Sequence, residues 1–409
     1  MTLTIKLATR NILRNRRRSL LTILSMGGGY FMLSIMLSMT EGSYSNIIDL
    51  FTRDHTGHVQ VHKDNYLDRP SLYKTINNSD HLINKIFTFP EVEAVAPRIY
   101  APSLAYGKNK TYPANVIGIN PELESQTTYL KQKIKNGTYI ENGMTSNGYF
   151  PAMIGKSLAK NLHLEPGDEL VLISQGIDGS IANDIFEVVA IVGTAESFER
   201  MNVYLSLNAI RQFLSMGNEV HELAITLKHQ TLANSFSTKL QASIQQSDLK
   251  VDPWQKIEET FYKSMQADKK GNYVSMGILI FIVSIGVLNT VLMGTMERTR
   301  EFGVLKAIGT QPFSIFRLIM LEALFLSIIS CLFGLIFSLP TNYWMITTGI
   351  ELPEPIDMGG VLFEHMSGEI SWFSLGVPAI VVISSTIIVS LIPGIRAARI
   401  SPLEALQAS

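Results

Sequence analysis

Cysteine is all but missing from this chain. Among 409 residues there is one, Cys331, and it falls inside an apolar run. No disulfide can hold any part of the fold, so a domain outside a membrane must stand on packing alone. Catalytic constellations are missing too. There is no Ser-His-Asp or Cys-His set, no His-Glu-x-x-His and no paired-cysteine motif, so no catalytic, cofactor-binding or metal-binding residue is nominated. An excess of either charge is also absent: Lys and Arg number 34 against 35 Asp and Glu, a net charge of −1. No nucleic-acid partner is expected.

What is present is apolar sequence gathered into runs. Residues 20–39, 274–296, 315–339 and 374–392 carry no internal Lys or Arg, save Arg317 at the start of the third. Each can cross a bilayer as a helix of about 20 residues. The first run follows basic residues as in a signal peptide, but it is too long and no Ala-x-Ala-like site follows. It is an uncleaved span.

Lys and Arg in the short flanks set the orientation. Lys6, Arg10, Arg14, Arg16, Arg17 and Arg18 precede the first run. Arg298, Arg300 and Lys306 lie between the second and third, and Arg396 and Arg399 follow the fourth. Segment 340–373 has neither Lys nor Arg, yet carries Glu351, Glu354, Asp357, Glu364 and Glu369. Both termini are therefore expected in the cytoplasm and the large interval after the first run outside it.

The expected fold class is a membrane protein with four transmembrane α-helices and a large mixed α/β extracytoplasmic domain inserted between helices 1 and 2. In order, a cytoplasmic amphipathic arm occupies 1–18, helix 1 occupies 19–42 and the domain 43–272. Helix 2 follows at 273–296, a cytoplasmic coupling elbow at 297–314, and helix 3 at 315–339. A short outer loop at 340–373, helix 4 at 374–392 and a cytoplasmic tail at 393–409 complete the chain. The arm has Leu3 and Leu7 set against Lys6, Arg10 and Arg14, a spacing suited to a basic helix on the anionic leaflet.

Within the domain, strands are expected at 92–99, 114–119, 170–174, 186–192 and 202–205, and helices at 155–162, 207–216 and 232–246. The pattern is mixed α/β, not a βαβ repeat. Residues 58–62 alternate as a strand does, so His58 and His62 share a face, with His55 nearby. Ordinary alternation explains them better than a metal site, since no acidic or cysteine cluster accompanies them. Gly155-Lys156-Ser157 looks like the end of a phosphate-binding loop, but position 150, where the earlier glycine belongs, is Phe150. Residues 254–270 are expected as a helix running into the second span.

Inside the spans, Gly27, Gly28 and Gly29 permit close helix packing, with a local kink as the alternative. Glu322 is the only acidic residue clearly within a run. An intramembrane carboxylate is by default functional. Its place near the cytoplasmic end, and the poor five-residue spacing from Arg317, favour a structural or interhelical role over proton coupling.

Between the second and third runs stands MERTREFGVLKAIGTQP, residues 296–312. Phe302, Val304, Leu305 and Ile308 form a loose apolar side, Arg298, Arg300, Glu301 and Lys306 are polar, and Gly309 is a stop signal. The run at 297–303 followed by 307–309 resembles the cytoplasmic elbow of the MacB/FtsX-type (type VII, mechanotransmission) ABC transporter permeases. Gly118-Ile119-Asn120-Pro121-Glu122 and the stretch 154–168 resemble the lipoprotein-releasing (LolC/LolE-like) permeases of that group, and the order of motifs matches over nearly the whole chain. The elbow itself is nearer the general MacB-type version.

The resemblance implies a non-catalytic permease subunit of the bacterial cytoplasmic (inner) membrane. ATP and Mg would bind on a partner ABC ATPase, with none in this chain. Glu297, Arg300, Glu301, Phe302, Val304, Leu305, Lys306 and Gly309 would couple to that ATPase. Gly27, Gly28, Gly29 and Glu322 would serve helix packing. Other implied partners are a second or homologous permease copy, membrane lipids and a periplasmic lipoprotein carrier. The implied work is to extract or export a lipoprotein or other lipid-bearing substrate. Small-molecule or peptide efflux, or signalling to an extracytoplasmic hydrolase, are the alternatives.

Overall fold

The computed structural model describes residues 10, 11, 14, 16–244, 246–357 and 362–401. Most of the expected arm and tail lies outside them. The described chain forms two compact units, one built around Ile47–Ser264 and the other around Met265–Pro353 with the terminal segments.

The second of these is helical. Its long helices are α1 (Arg16–Phe51), α2 (Glu259–Glu297), α4 (Pro312–Thr347) and α5 (Trp372–Arg399), with the short α3 (Thr299–Ala307) between α2 and α4. All four long helices are long and apolar enough to cross a membrane. Each exceeds the span expected from its apolar run. α4 passes through Pro340 without stopping. Residues 350–366, expected as loop, form a two-stranded pair, β11 (Ile350–Asp357) with β12 (Leu362–Met366). The helices meet over Met26, Tyr30, Leu33, Val287, Cys331 and Val382. Polar groups inside are satisfied locally: the Tyr30 hydroxyl donates to the Leu375 carbonyl at 3.1 Å, and Asn342 Nδ2 donates to Ser34 Oγ at 3.1 Å.

The other unit is a mixed α/β domain around one sheet. Its strands are β1 (Val59–Lys63), β2 (Val92–Gly107), β3 (Lys110–Ile119), β4 (Ile134–Gly137), β5 (Phe150–Gly155), β6 (Glu169–Gln175), β7 (Ile181–Val192), β8 (Asn202–Ser206), β9 (Glu222–Leu227) and β10 (Leu249–Pro253). They run in the order β10-β1-β9-β2-β3-β8-β5-β7-β4, with β6 pairing both β2 and β7. Among the described strand pairs, β3–β8 and β5–β7 are parallel. One core gathers Ile119, Leu130, Ile140, Met153, Ala190, Val192 and Tyr204.

β2 is twice the expected length because it changes partners: residues 92–98 pair with β9 and 98–107 with β3. Gly155 ends β5 with its backbone against the Glu199 carbonyl, where an added Cβ would stand 1.9 Å from that oxygen. The glycine of the apparent phosphate loop thus serves a close backbone approach in the sheet.

Register across the sheet places His62 opposite Glu222, and Glu222 opposite Arg98. These residues are buried, and the row closes as an ion cluster. Arg98 donates to Glu124 at 2.7 and 3.1 Å and to Glu222 at 3.0 Å, and Tyr100 Oη donates to Glu222 at 3.1 Å. Burial alone would raise the Glu222 carboxyl, but the His62 contact, the Arg98 charge and the Tyr100 hydroxyl hold it below the usual range. His58 is buried with its Nδ1 accepting the Leu227 N–H at 2.9 Å. His58 and His62 therefore belong to separate contacts, and among the described residues no three His, Cys, Asp or Glu side chains converge as a metal set.

Candidate functional site

The elbow is a short helix with a closed C-terminal end. α3 ends at Gly309, whose φ is +98°, with Thr310 N–H donating to the Leu305 carbonyl at 2.9 Å and Gly309 N–H to Lys306 at 2.9 Å. This paired closure needs a left-handed residue, which glycine adopts freely. Pro312 then opens α4 at the first helical position, where its missing N–H costs nothing.

The two sides of α3 have different fates. Phe302 is only 1% exposed and packs with Ile315, Ile319 and Ala397, with Leu305 beside them. Val304 is 48% and Ile308 74% exposed. Phe302 is thus used inside this chain, not on its surface. Lys306 also turns inward and donates to the carbonyls of Ala398 and Ile400 at 2.6 Å each. Those carbonyls belong to the end of α5, where helix acceptors lack partners and a cation is favoured. Glu297, Arg300, Glu301 and Gly309 are exposed.

Arg298, absent from the expected site set, holds the elbow in place. It is buried, its Nη1 donates to the two Glu322 carboxylate oxygens at 2.9 and 3.0 Å, and its Nε donates to Glu301 at 3.0 Å. Its guanidinium lies 5.1 Å from the Phe302 ring centre. Asn11 also donates to Glu322, at 2.6 Å, and Arg14 pairs with Glu301. The partner of Glu322 is thus 24 residues upstream across the chain reversal, not Arg317 on its own helix. Burial disfavours the Arg298 charge, yet Glu322 and Glu301 keep it firmly protonated. The Glu301 carboxyl is held below its usual range, as Arg298 and Arg14 outweigh its partial burial.

The glycine triplet divides as well. A Cβ on Gly27 would meet the Ser330 carbonyl at 2.9 Å, and one on Gly29 would meet Val283 at 2.7 Å, but Gly28 faces open space. Gly27 and Gly29 mark close approaches of α1 to α4 and α2. Gly28 marks none.

Four long apolar helices, an α/β domain inserted after the first, and a short helix clamped between the second and third define an FtsX-like permease architecture. The chain belongs to the MacB/FtsX-type ABC transporter permeases: the MacB-like periplasmic core domain model matches residues 19–243 and the FtsX-like permease C-terminal model matches 273–402. It is 24% identical over 421 residues to the macrolide export ATP-binding/permease protein MacB 2 of Aeromonas hydrophila, covering 98% of this chain and 60% of that protein. It is 25% identical over 352 residues to the lipoprotein-releasing system transmembrane protein LolC of Xylella fastidiosa, covering 80% of each. The periplasmic region of MacB from Actinobacillus actinomycetemcomitans aligns with a TM-score of 0.38 and 15% identity over 53% of this chain and 98% of that one.

Proposed function

We propose that this chain passes ATP-driven motion of a partner ATPase, which binds ATP and Mg, to its α/β domain on the far side of a bacterial inner membrane. The observation that carries the reading is the exposed pair Val304 and Ile308 on a helix whose opposite side is locked by Phe302, Arg298 and Lys306. A rigid helix with a bare apolar side suits a groove on a protein that pushes. Glu297, Arg300 and Glu301 surround it and would set orientation more than affinity. A lipoprotein or other lipid-bearing molecule is the substrate we favour, in line with the LolC relative. Small-molecule or peptide efflux is the second reading, in line with the name of the MacB 2 relative. α2 leaves Ile278, Phe281, Ile282 and Ile285 exposed, a face that lipid or a second permease copy would cover.

The test is the pair Val304→Asp and Ile308→Asp. Burial of the two side chains is worth about 3 kcal/mol, roughly a hundredfold in affinity, and buried unpaired carboxylates add to the loss. Both positions are exposed, so the helical unit should still assemble. We expect the ATPase to stop co-purifying with the tagged chain and transport to cease. Full retention of bound ATPase activity by the double variant would reduce the elbow to a connecting loop.

A further inference from the structure

The C-terminal end of α5 carries two cations that the fold leaves unengaged. Arg396 and Arg399 stand in its last turn, both exposed, and among the described residues neither makes a hydrogen bond or an ion pair. Basic residues are favoured at that end of a helix, where the last carbonyls lack partners. Here Lys306 already serves the Ala398 and Ile400 carbonyls, at 2.6 Å each. The cap is made by another residue, and both guanidinium groups stay open.

They close one end of a groove. Ile392, Ile395, Arg396, Arg399 and Ile400 line an open depression of about 570 Å³. The same side of the helix continues through Ile388, which is 63% exposed, as is Ile392 at 64%. Positions 388, 392, 395, 396 and 399 recur at the spacing of one helical face. From Ile388 to Arg399 that face runs about 16 Å, at a rise of about 1.5 Å per residue. This is close to the depth of one leaflet, half of a hydrocarbon core about 30 Å thick.

Such a groove selects on two counts. Its apolar length suits a hydrocarbon chain and offers nothing to a free inorganic anion. Its guanidinium groups, each a planar fork of N–H donors, match the oxygens of a phosphate. They gain less from a headgroup whose phosphate is already balanced by a choline cation. A protein partner at this end of α5 would cover the arginines but not Ile388, a leaflet's depth away.

We propose that this groove is a binding site for an anionic phospholipid, with its phosphate at Arg396 and Arg399 and an acyl chain along Ile395, Ile392 and Ile388. The site rests on α5 spanning the membrane, not on an ATPase meeting the elbow.

The full chain, purified without other proteins in a non-ionic detergent, would be titrated by native mass spectrometry with dioleoyl phosphatidylglycerol and with dioleoyl phosphatidylcholine, which has the same chains. A basic residue near the membrane surface is worth roughly fivefold in affinity, so phosphatidylglycerol should bind at least about tenfold tighter. Inorganic phosphate at the same concentration should not displace it. Arg396→Gln with Arg399→Gln should erase the preference. Ile395→Glu sets a carboxylate four residues before Arg399, where the two pair on the helix. It should weaken phosphatidylglycerol by about fivefold, the share of one arginine, and it decides the matter if the double variant does not fold. Arg16→Gln with Arg17→Gln removes two exposed charges at another helix end and should leave the preference intact. Equal binding of the two lipids, displacement by phosphate, or an equal loss in the Arg16 and Arg17 variant (a basic surface only) overturns the proposal. An undiminished preference in either folded groove variant also overturns it, and loss of a co-purifying ATPase in that same variant would assign the groove to a protein.

Discussion

Single residues in this molecule owe their behaviour to what the sheet register and the chain reversal set beside them. His58 is the clearest case, since burial and the nearby Arg53 charge push its pKa down to about 4. It is neutral when folded, whereas the unfolded chain takes up a proton near the ordinary value of about 6.5. Stability is therefore fully present above pH ~6.5, falls as pH drops from there to about 4, and then levels, with a total loss of about 3 kcal/mol. His58→Asn keeps an acceptor for the Leu227 N–H and removes the titration. Its unfolding midpoint should change less between pH 7.5 and pH 5 than that of the wild type. Equal changes in the two proteins would assign the acid sensitivity elsewhere; His221, whose pKa burial also lowers, is the next group. None of this was legible in sequence. Alternation placed His58 and His62 on one face, but which partner each meets depends on β9, a strand that sequence periodicity misses. Glu222–Leu227 is buried at every position, so it shows no in–out alternation.

Elements were legible where their signal is local and obscure where it is not. The short helices that begin near 156, 207 and 233 follow apolar spacing, and the second also has a cap, since Ser206 Oγ accepts the Ala209 N–H at 3.3 Å. The ends of the long helices were not legible, because Pro340 reads as a terminator and is tolerated within α4. The elbow was found by its wording, yet its fixing was not. Arg298 and Glu322 stand 24 residues apart, beyond any helical spacing rule, and meet only because Gly309 and Pro312 fold the chain back. That clamp makes a sharp prediction. Arg298→Glu or Glu322→Arg alone leaves a like-charged pair half inside the protein and should uncouple ATP hydrolysis from transport at normal ATPase binding. The double exchange should restore part of the coupling. Failure of the single variants to change the coupling ratio would make the clamp a mere anchor.

For the whole molecule, the unequal spread of Lys and Arg predicts a definite sidedness. Cysteine placed at Lys108 should react with an impermeant maleimide added to intact cells, and cysteine placed at Arg300 should react only after the membrane is opened. Labelling of position 300 in intact cells would reverse the topology. The order of strands carries a further consequence, for biosynthesis. β1 is the first strand of this sheet to be made, yet its neighbours are β9 and β10, the last two of the same sheet. Some 160 to 190 residues must emerge before that strand has any partner, and the synthesis of α2 follows at once. Between the emergence of β1 and that of β9 and β10, a nascent chain of this protein therefore carries an unpaired strand, and such open edges aggregate. Its dependence on chaperones should lie in that interval, and a chain arrested before Leu249 should be the form that proteases remove.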